Sequence, residues 1–295
     1  MEATNDVWLE AALNGPWGRH RQPGIPVTIS EIVAEGIACA EAGAAVIHLH
    51  AYDASTGLQK DDWEIYAAIF EGIRAKVDVI VYPSIPLAGD KGVAIEGGAA
   101  GRFAAVSRLA DEGLIEWSVV DPGTANLARY RDIEGGRGGF VYRNDFADID
   151  EGLSLADTKR FHPSYAIYEP GFLRLGAAAA RQRPGMPAPL YRFMFSDEFT
   201  FGFPPKGYAL EAYLALLAEE APGSRWMVAG LGVDIDPLAE LAMERGGGLR
   251  VGLEDAPFGT GRSNLDYVEA MVRRIVSSGR RPASAATIRE AMAAA

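Results

Sequence analysis

The chain has 295 residues, 48% hydrophobic and 23% charged, which fits a packed globular core and excludes a disordered, fibrous or collagen-like protein. Forty acidic residues against 28 basic ones give a net charge of -12, so the basic footprint of a general nucleic-acid binder is missing. The single cysteine, Cys39, excludes an internal disulfide, a CxxC redox pair and a cysteine-ligated iron–sulfur cluster.

Short runs rich in Val, Ile and aromatic residues alternate along the chain with longer stretches of helical spacing. In chain order the spacing predicts strands over 7–13, 45–49, 77–82, 117–120, 165–168, 190–195, 226–229 and 249–253. Helices are predicted over 30–42, 62–75, 101–112, 155–161, 170–180, 207–219, 237–245 and 264–278, with a last one over 285–294. Thr28-Ile29-Ser30-Glu31 supplies start chemistry for the first helix, and Gly43 its stop. Eight strand–helix units predict an α/β fold of the (β/α)8 TIM-barrel type in a single domain. The rival, an open doubly wound sheet, wants a GxGxxG turn after its first strand, and Asn14-Gly15-Pro16-Trp17-Gly18 lacks that spacing. Two irregular stretches, 83–101 and 121–150, follow strands and are expected as loop insertions at the carboxyl mouth, as lids or as plain surface insertions. No stretch reaches the roughly 20 apolar residues of a membrane span. Met1 to Trp8 shows no basic-then-apolar leader, so the expectation is a cytoplasmic protein with neither membrane nor nucleic acid as partner.

Four histidines are present, and His48-Leu49-His50 closes the second predicted strand. Alternation puts both imidazoles on one face, where they converge on one ion or pack as barrel residues. On the last strand the same alternation groups Arg250, Gly252 and Glu254. In a closed barrel the eighth strand neighbours the first and the first neighbours the second, so Glu254 can meet the histidine pair as a third metal ligand. Its alternative is an ion pair with Arg250. Two imidazoles and a carboxylate leave an open position suited to polarising a carbonyl. Asp255, next in the chain, is a candidate general base or a turn aspartate. Arg250 can grip a carboxylate with two hydrogen bonds, and Ser84 can donate to a substrate oxygen or stand as a plain loop hydroxyl. Gly230 and Gly232 follow the seventh strand, where backbone N–H groups of such barrels often bind phosphate, or where glycines simply serve a tight turn. Arg19, His20 and Arg21 form a local basic patch that would attract an anionic ligand. Amidohydrolase-type barrels also carry an HxH pair, but on the first strand and with histidines closing the fifth and sixth. Here His162 precedes the predicted fifth strand and the sixth has none.

The run Glu41-Ala42-Gly43-Ala44-Ala45-Val46-Ile47-His48-Leu49-His50, with Trp226-Met227-Val228-Ala229-Gly230-Leu231-Gly232 and Arg250-Val251-Gly252-Leu253-Glu254-Asp255, resembles the β-keto acid cleavage enzyme family, whose founding activity is 3-keto-5-aminohexanoate cleavage. Glu10-Ala11-Ala12-Leu13-Asn14-Gly15 looks like the first strand of many members. The resemblance implies a homo-oligomeric, usually tetrameric barrel holding a divalent metal, typically zinc, that joins a β-keto acid with acetyl-CoA to give acetoacetate and a new acyl-CoA. By position it implies His48, His50 and Glu254 as metal ligands, Asp255 as the proton-abstracting base, and Arg250 and Ser84 as its assistants. Departures from the pattern are Val119, where the founding type has a hydroxyl (Ser118 is adjacent), and the segment Ser196-Asp197-Glu198-Phe199-Thr200-Phe201-Gly202-Phe203. Trp17 and Ala166 stand where amine-accepting members carry acids, which predicts a substrate without an amino group. The same residues without CoA would suit a metal-dependent aldolase or lyase, and the departures leave a metal-holding barrel without activity as a further alternative.

Overall fold

A computed structural model describes residues 5–89 and 95–294. Its eight barrel strands are β1 (Leu9–Ala12), β2 (Val46–Leu49), β3 (Ile80–Pro83), β4 (Trp117–Val119), β5 (His162–Ile167), β6 (Leu190–Phe195), β7 (Trp226–Gly230) and β8 (Gly248–Val251). Hydrogen-bonded neighbours run β3-β2-β1-β8-β7-β6-β5-β4, all parallel. The barrel is therefore nearly closed, with β3 and β4 side by side but without a ladder. Each strand is followed by a helix of the outer layer: α1 (Ile29–Glu41), α2 (Trp63–Arg74), α3 (Ala104–Asp111), α4 (Phe146–Lys159), α5 (Pro170–Arg181), α6 (Gly207–Glu220), α7 (Asp236–Glu244) and α8 (Asn264–Ser277). Helices outside and side chains inside bury both faces of the strands, which is why they read as continuous apolar runs. At α1 the Thr28 hydroxyl accepts from Glu31 N while the Glu31 side chain accepts from Thr28 N, the expected start. Among the described residues no helix is long and apolar enough to cross a membrane.

Four local differences from the sequence reading have physical causes. The strand expected over 249–253 stops at Val251, because Gly252 takes φ 137 and a Cβ there would collide with the Ala12 carbonyl. The strand expected from 165 begins at His162, with Pro163 in its second position, where a missing N–H is tolerated. His162 therefore opens β5, at the end of the barrel away from the mouth, and its Nδ1 lies 2.9 Å from Ala188 O. The helix expected over 155–161 instead starts at Phe146, since Asp145 and Asp148 form a capping box within what reads as an acidic loop. The helix expected over 101–112 is two pieces, Gly98–Arg102 and α3, interrupted at Phe103, which has left the helical region at ψ 7.

The insertion after β4 is also partly ordered. It holds an antiparallel hairpin, Ala125–Leu127 with Phe140–Tyr142, around a short helix, Tyr130–Glu134. The insertion after β3 includes residues 90–94, which lie outside the described residues. Buried Arg102 ties the two insertions together, donating to Pro86 O and Arg143 O at 3.0 Å each and pairing with Asp148 at 3.0 Å. Both insertions thereby wall the carboxyl mouth.

Candidate active site

His48 and His50 sit at the carboxyl end of β2, with ring centroids 5.3 Å apart and planes 80° to one another. Asn14, just past β1, fixes that strand end. Its side-chain oxygen accepts from His50 N at 2.8 Å, and its nitrogen donates to His50 O and Pro26 O at 3.0 Å. Glu254 comes from the turn after β8, where Asp255 N and Ala256 N bond back to Gly252 O. Glu254 N donates to Ala12 O at 3.2 Å and Trp17 Nε1 donates to Glu254 O at 2.7 Å. Gly15, at φ 61, is needed for this approach: a Cβ there would stand 2.7 Å from Glu254 Cγ. The Asn14-Gly15 pair thus supports both sides of the cluster.

Nε2 of His48 and Nε2 of His50 each lie 3.5 Å from a different oxygen of Glu254, and the three ligand atoms fall within 4.8 Å of one another. Burial pushes His48 well below the usual imidazole range, so the ring is neutral and keeps a lone pair to offer. Burial opposes charge on Glu254, but the Arg250 guanidinium beside it outweighs this and holds the carboxyl well below the carboxylate range. Glu254 Oε2 is buried without a hydrogen-bond partner, an orphan that a cation would satisfy. Two ring nitrogens and a carboxylate with room for a fourth ligand make a donor set that fits zinc or a related divalent ion.

Arg250 lies beneath this cluster, 1% exposed, and binds three carboxylates. It grips Asp255 with two hydrogen bonds of 2.8 and 2.9 Å, meets Glu254 at 2.8 Å and Glu10 at 3.0 Å. The ion pair and the metal-ligand readings of Glu254 are therefore compatible. Burial pushes Asp255 up to about 6 against the pull of Arg250, with Glu254 and Glu10 adding to the rise.

A cavity opens over these groups and is lined by His48, His50, Ser84, Arg250, Glu254 and Asp255, so all six residues read as candidate metal ligands or catalytic groups share one site. The Ser84 hydroxyl has only a long 3.4 Å bond to Ile85 O. Gly230 is packed away, with its N–H directed at Asp255 at 3.4 Å, while Gly232 is half-buried at φ 69. Trp17, Val119 and Ala166 line the cavity, whereas Ser118 is buried elsewhere. In the basic patch, Arg19 pairs with Glu31 at 2.8 Å, His20 is exposed, and the Arg21 guanidinium stands 5.5 Å from the Trp17 ring and 5.3 Å from that of Phe258.

Sequence reasoning missed three polar residues here. Glu10, read only as part of a motif, is fully buried and also accepts from Tyr82 OH at 2.6 Å. Asp121 accepts from Ala166 N at 2.8 Å and from Tyr142 OH at 2.6 Å, and Arg192 extends from β6. A charged residue inside an apolar strand was the available signal for Glu10 and Arg192.

Comparison with known proteins finds relatives over most of the chain. The chain is 29% identical over 269 residues to the 3-keto-5-aminohexanoate cleavage enzyme of Fusobacterium nucleatum, covering 89% of this chain and 88% of that protein. It is 28% identical over 257 residues to the 3-oxoadipate:acetyl-CoA acetyltransferase of Cupriavidus necator, covering 85% and 81%. The apo structure of ObcA superposes with a TM-score of 0.72 at 19% identity, over 92% of this chain and 66% of that one, which speaks for the fold. Residues 6–293 match the family model for beta-keto acid cleavage enzymes, and the chain belongs to that family.

Proposed function

We propose that this protein joins a β-keto acid with acetyl-CoA to give acetoacetate and the corresponding acyl-CoA, at the cavity over His48, His50 and Glu254. The observation that carries this reading is the convergence of three ligand atoms within 4.8 Å, directly beside a buried Arg250–Asp255 pair. The relatives' names support acetyl-CoA as co-substrate. His48, His50 and Glu254 would hold a divalent transition metal, proposed to be zinc, which when bound supplies polarisation of the keto acid's oxygens.

Asp255 is assigned as the base that takes a proton from C2 of the keto acid. Arg250 orients it and offers positive charge to the enolate that forms. C2 then attacks the acetyl carbonyl and CoA thiolate leaves. The thiolate attacks the original keto carbon, the C2–C3 bond breaks, and Asp255 returns its proton to the acetoacetate enolate. Atoms and charge balance, and the proton is only borrowed. Ser84, at the cavity wall, is assigned to donate to a substrate oxygen. For the CoA we propose a path over the loop after β7: Gly232 is its accessible glycine, and Gly230 shapes the loop while holding Asp255. A homo-oligomer working in the cytoplasm completes the proposal, supported by the family resemblance and by the buried, unpaired Cys39.

A panel of β-keto acids incubated with and without acetyl-CoA tests the reading. Acetoacetate and a new acyl-CoA are expected only when both substrates are present. Cleavage without CoA would assign the site to an aldolase or lyase instead, and no turnover across the panel would make the protein a metal-holding barrel without this activity.

A further inference from the structure

The far wall of the cavity holds a cation that the proposed reaction does not use. Arg192 is on β6, diametrically opposite β2 in the strand order, and is 3% exposed while lining the cavity. Its Nε donates to Ser164 Oγ at 2.8 Å, and Nη2 reaches Ser164 O only at 3.4 Å. The nearest carboxylate oxygen, Asp121 Oδ1, is 4.0 Å away, beyond hydrogen-bond range, and already accepts from Ala166 N. Among the described residues Nη1 donates no hydrogen bond. Arg250 is the contrast, with its donors matched to three carboxylates. A buried guanidinium left this incompletely paired is costly unless a ligand completes it.

Its surroundings identify the ligand. The guanidinium lies 6.0 Å from the Tyr82 ring, whose centroid is 4.5 Å from that of His48, so a few carbon atoms span the space between the histidine cluster and the cation. Val119, Ala166 and Met194 make the wall beside it apolar. An alkyl chain would leave Arg192 unpaired there and an ammonium would be repelled, whereas a carboxylate would accept two parallel hydrogen bonds.

We propose that Arg192 anchors a second acidic group at the acyl end of the substrate, which makes the preferred keto acid a short 3-oxo dicarboxylic acid. The assignment rests on the reading of the site given above. It is tested with three 3-oxo acids of matched length ending in carboxylate, methyl or ammonium, assayed with acetyl-CoA on the native protein and on Arg192→Met and Arg192→Lys. A binding measurement of glutarate against butyrate by calorimetry runs beside the assay. The native protein is expected to prefer the carboxylate-ended substrate. In Arg192→Met that preference over the methyl-ended substrate should collapse by about 100-fold, mainly through KM, with partial recovery in Arg192→Lys. Glutarate should bind more tightly than butyrate in the native protein, and lose that advantage in Arg192→Met.

A native preference for the methyl- or ammonium-ended acid overturns the proposal without any variant. Equal losses on all three substrates overturn it too, because Arg192 would then hold the carboxylate common to every β-keto acid. If no substrate yields acetoacetate but glutarate binding still depends on Arg192, the reaction assignment fails and the anionic subsite stands.

Discussion

Arg250→Met is expected to lower the stability of the protein by about 3–5 kcal/mol, the cost of breaking a buried ion pair by removing one partner. The side chain is 1% exposed and is the shared cation of Glu10, Glu254 and Asp255. Glu10 is fully buried, and its Oε2 has no hydrogen-bond partner. Without Arg250, three carboxylates face one another in a dry interior. Methionine fills much of the volume, so the loss is electrostatic rather than a cavity effect. Thermal unfolding followed by circular dichroism should show a midpoint lower by about 10 °C, taking about 2–4 °C per kcal/mol for a chain of this size. An unchanged midpoint would mean that the network does not hold the barrel interior together.

Asp255→Asn separates chemistry from stability. Asparagine keeps the shape and an acceptor for Arg250 and Gly230 N, so the turn after β8 should survive. It cannot take the C2 proton. Acetoacetate formation should fall by about 10²–10⁴-fold, the usual worth of a positioned general base. The unfolding midpoint should move far less than in Arg250→Met. A variant that keeps most of its activity would remove Asp255 from the role of base and leave it as a structural partner of Arg250.

The barrel was legible because each strand–helix unit is stated locally, by an apolar run followed by helical spacing, and because eight units admit few other architectures. His48 and His50 were legible for the same reason, since alternation on a regular strand places side chains without tertiary information. Glu254 was picked on that rule too, yet it reaches the site from a turn that begins at Gly252, held by Ala12, Gly15 and Trp17. Glu254 does lie beside the two histidines, but from a turn rather than from the strand. The hairpin 125–127 with 140–142 went unread because strands of three residues carry almost no periodicity. Arg192 and Asp121 became meaningful only once strand order showed which of them lie across from the histidines, a long-range fact that one sequence does not state.

The most direct test of the account is metal analysis of the purified protein, native and with His48→Ala or Glu254→Ala, alongside circular dichroism. One transition-metal ion per native chain is expected, lost in both variants while the barrel's secondary structure persists. A native protein without stoichiometric transition metal, or variants that keep a full complement, would contradict the claim that these three side chains form a metal site.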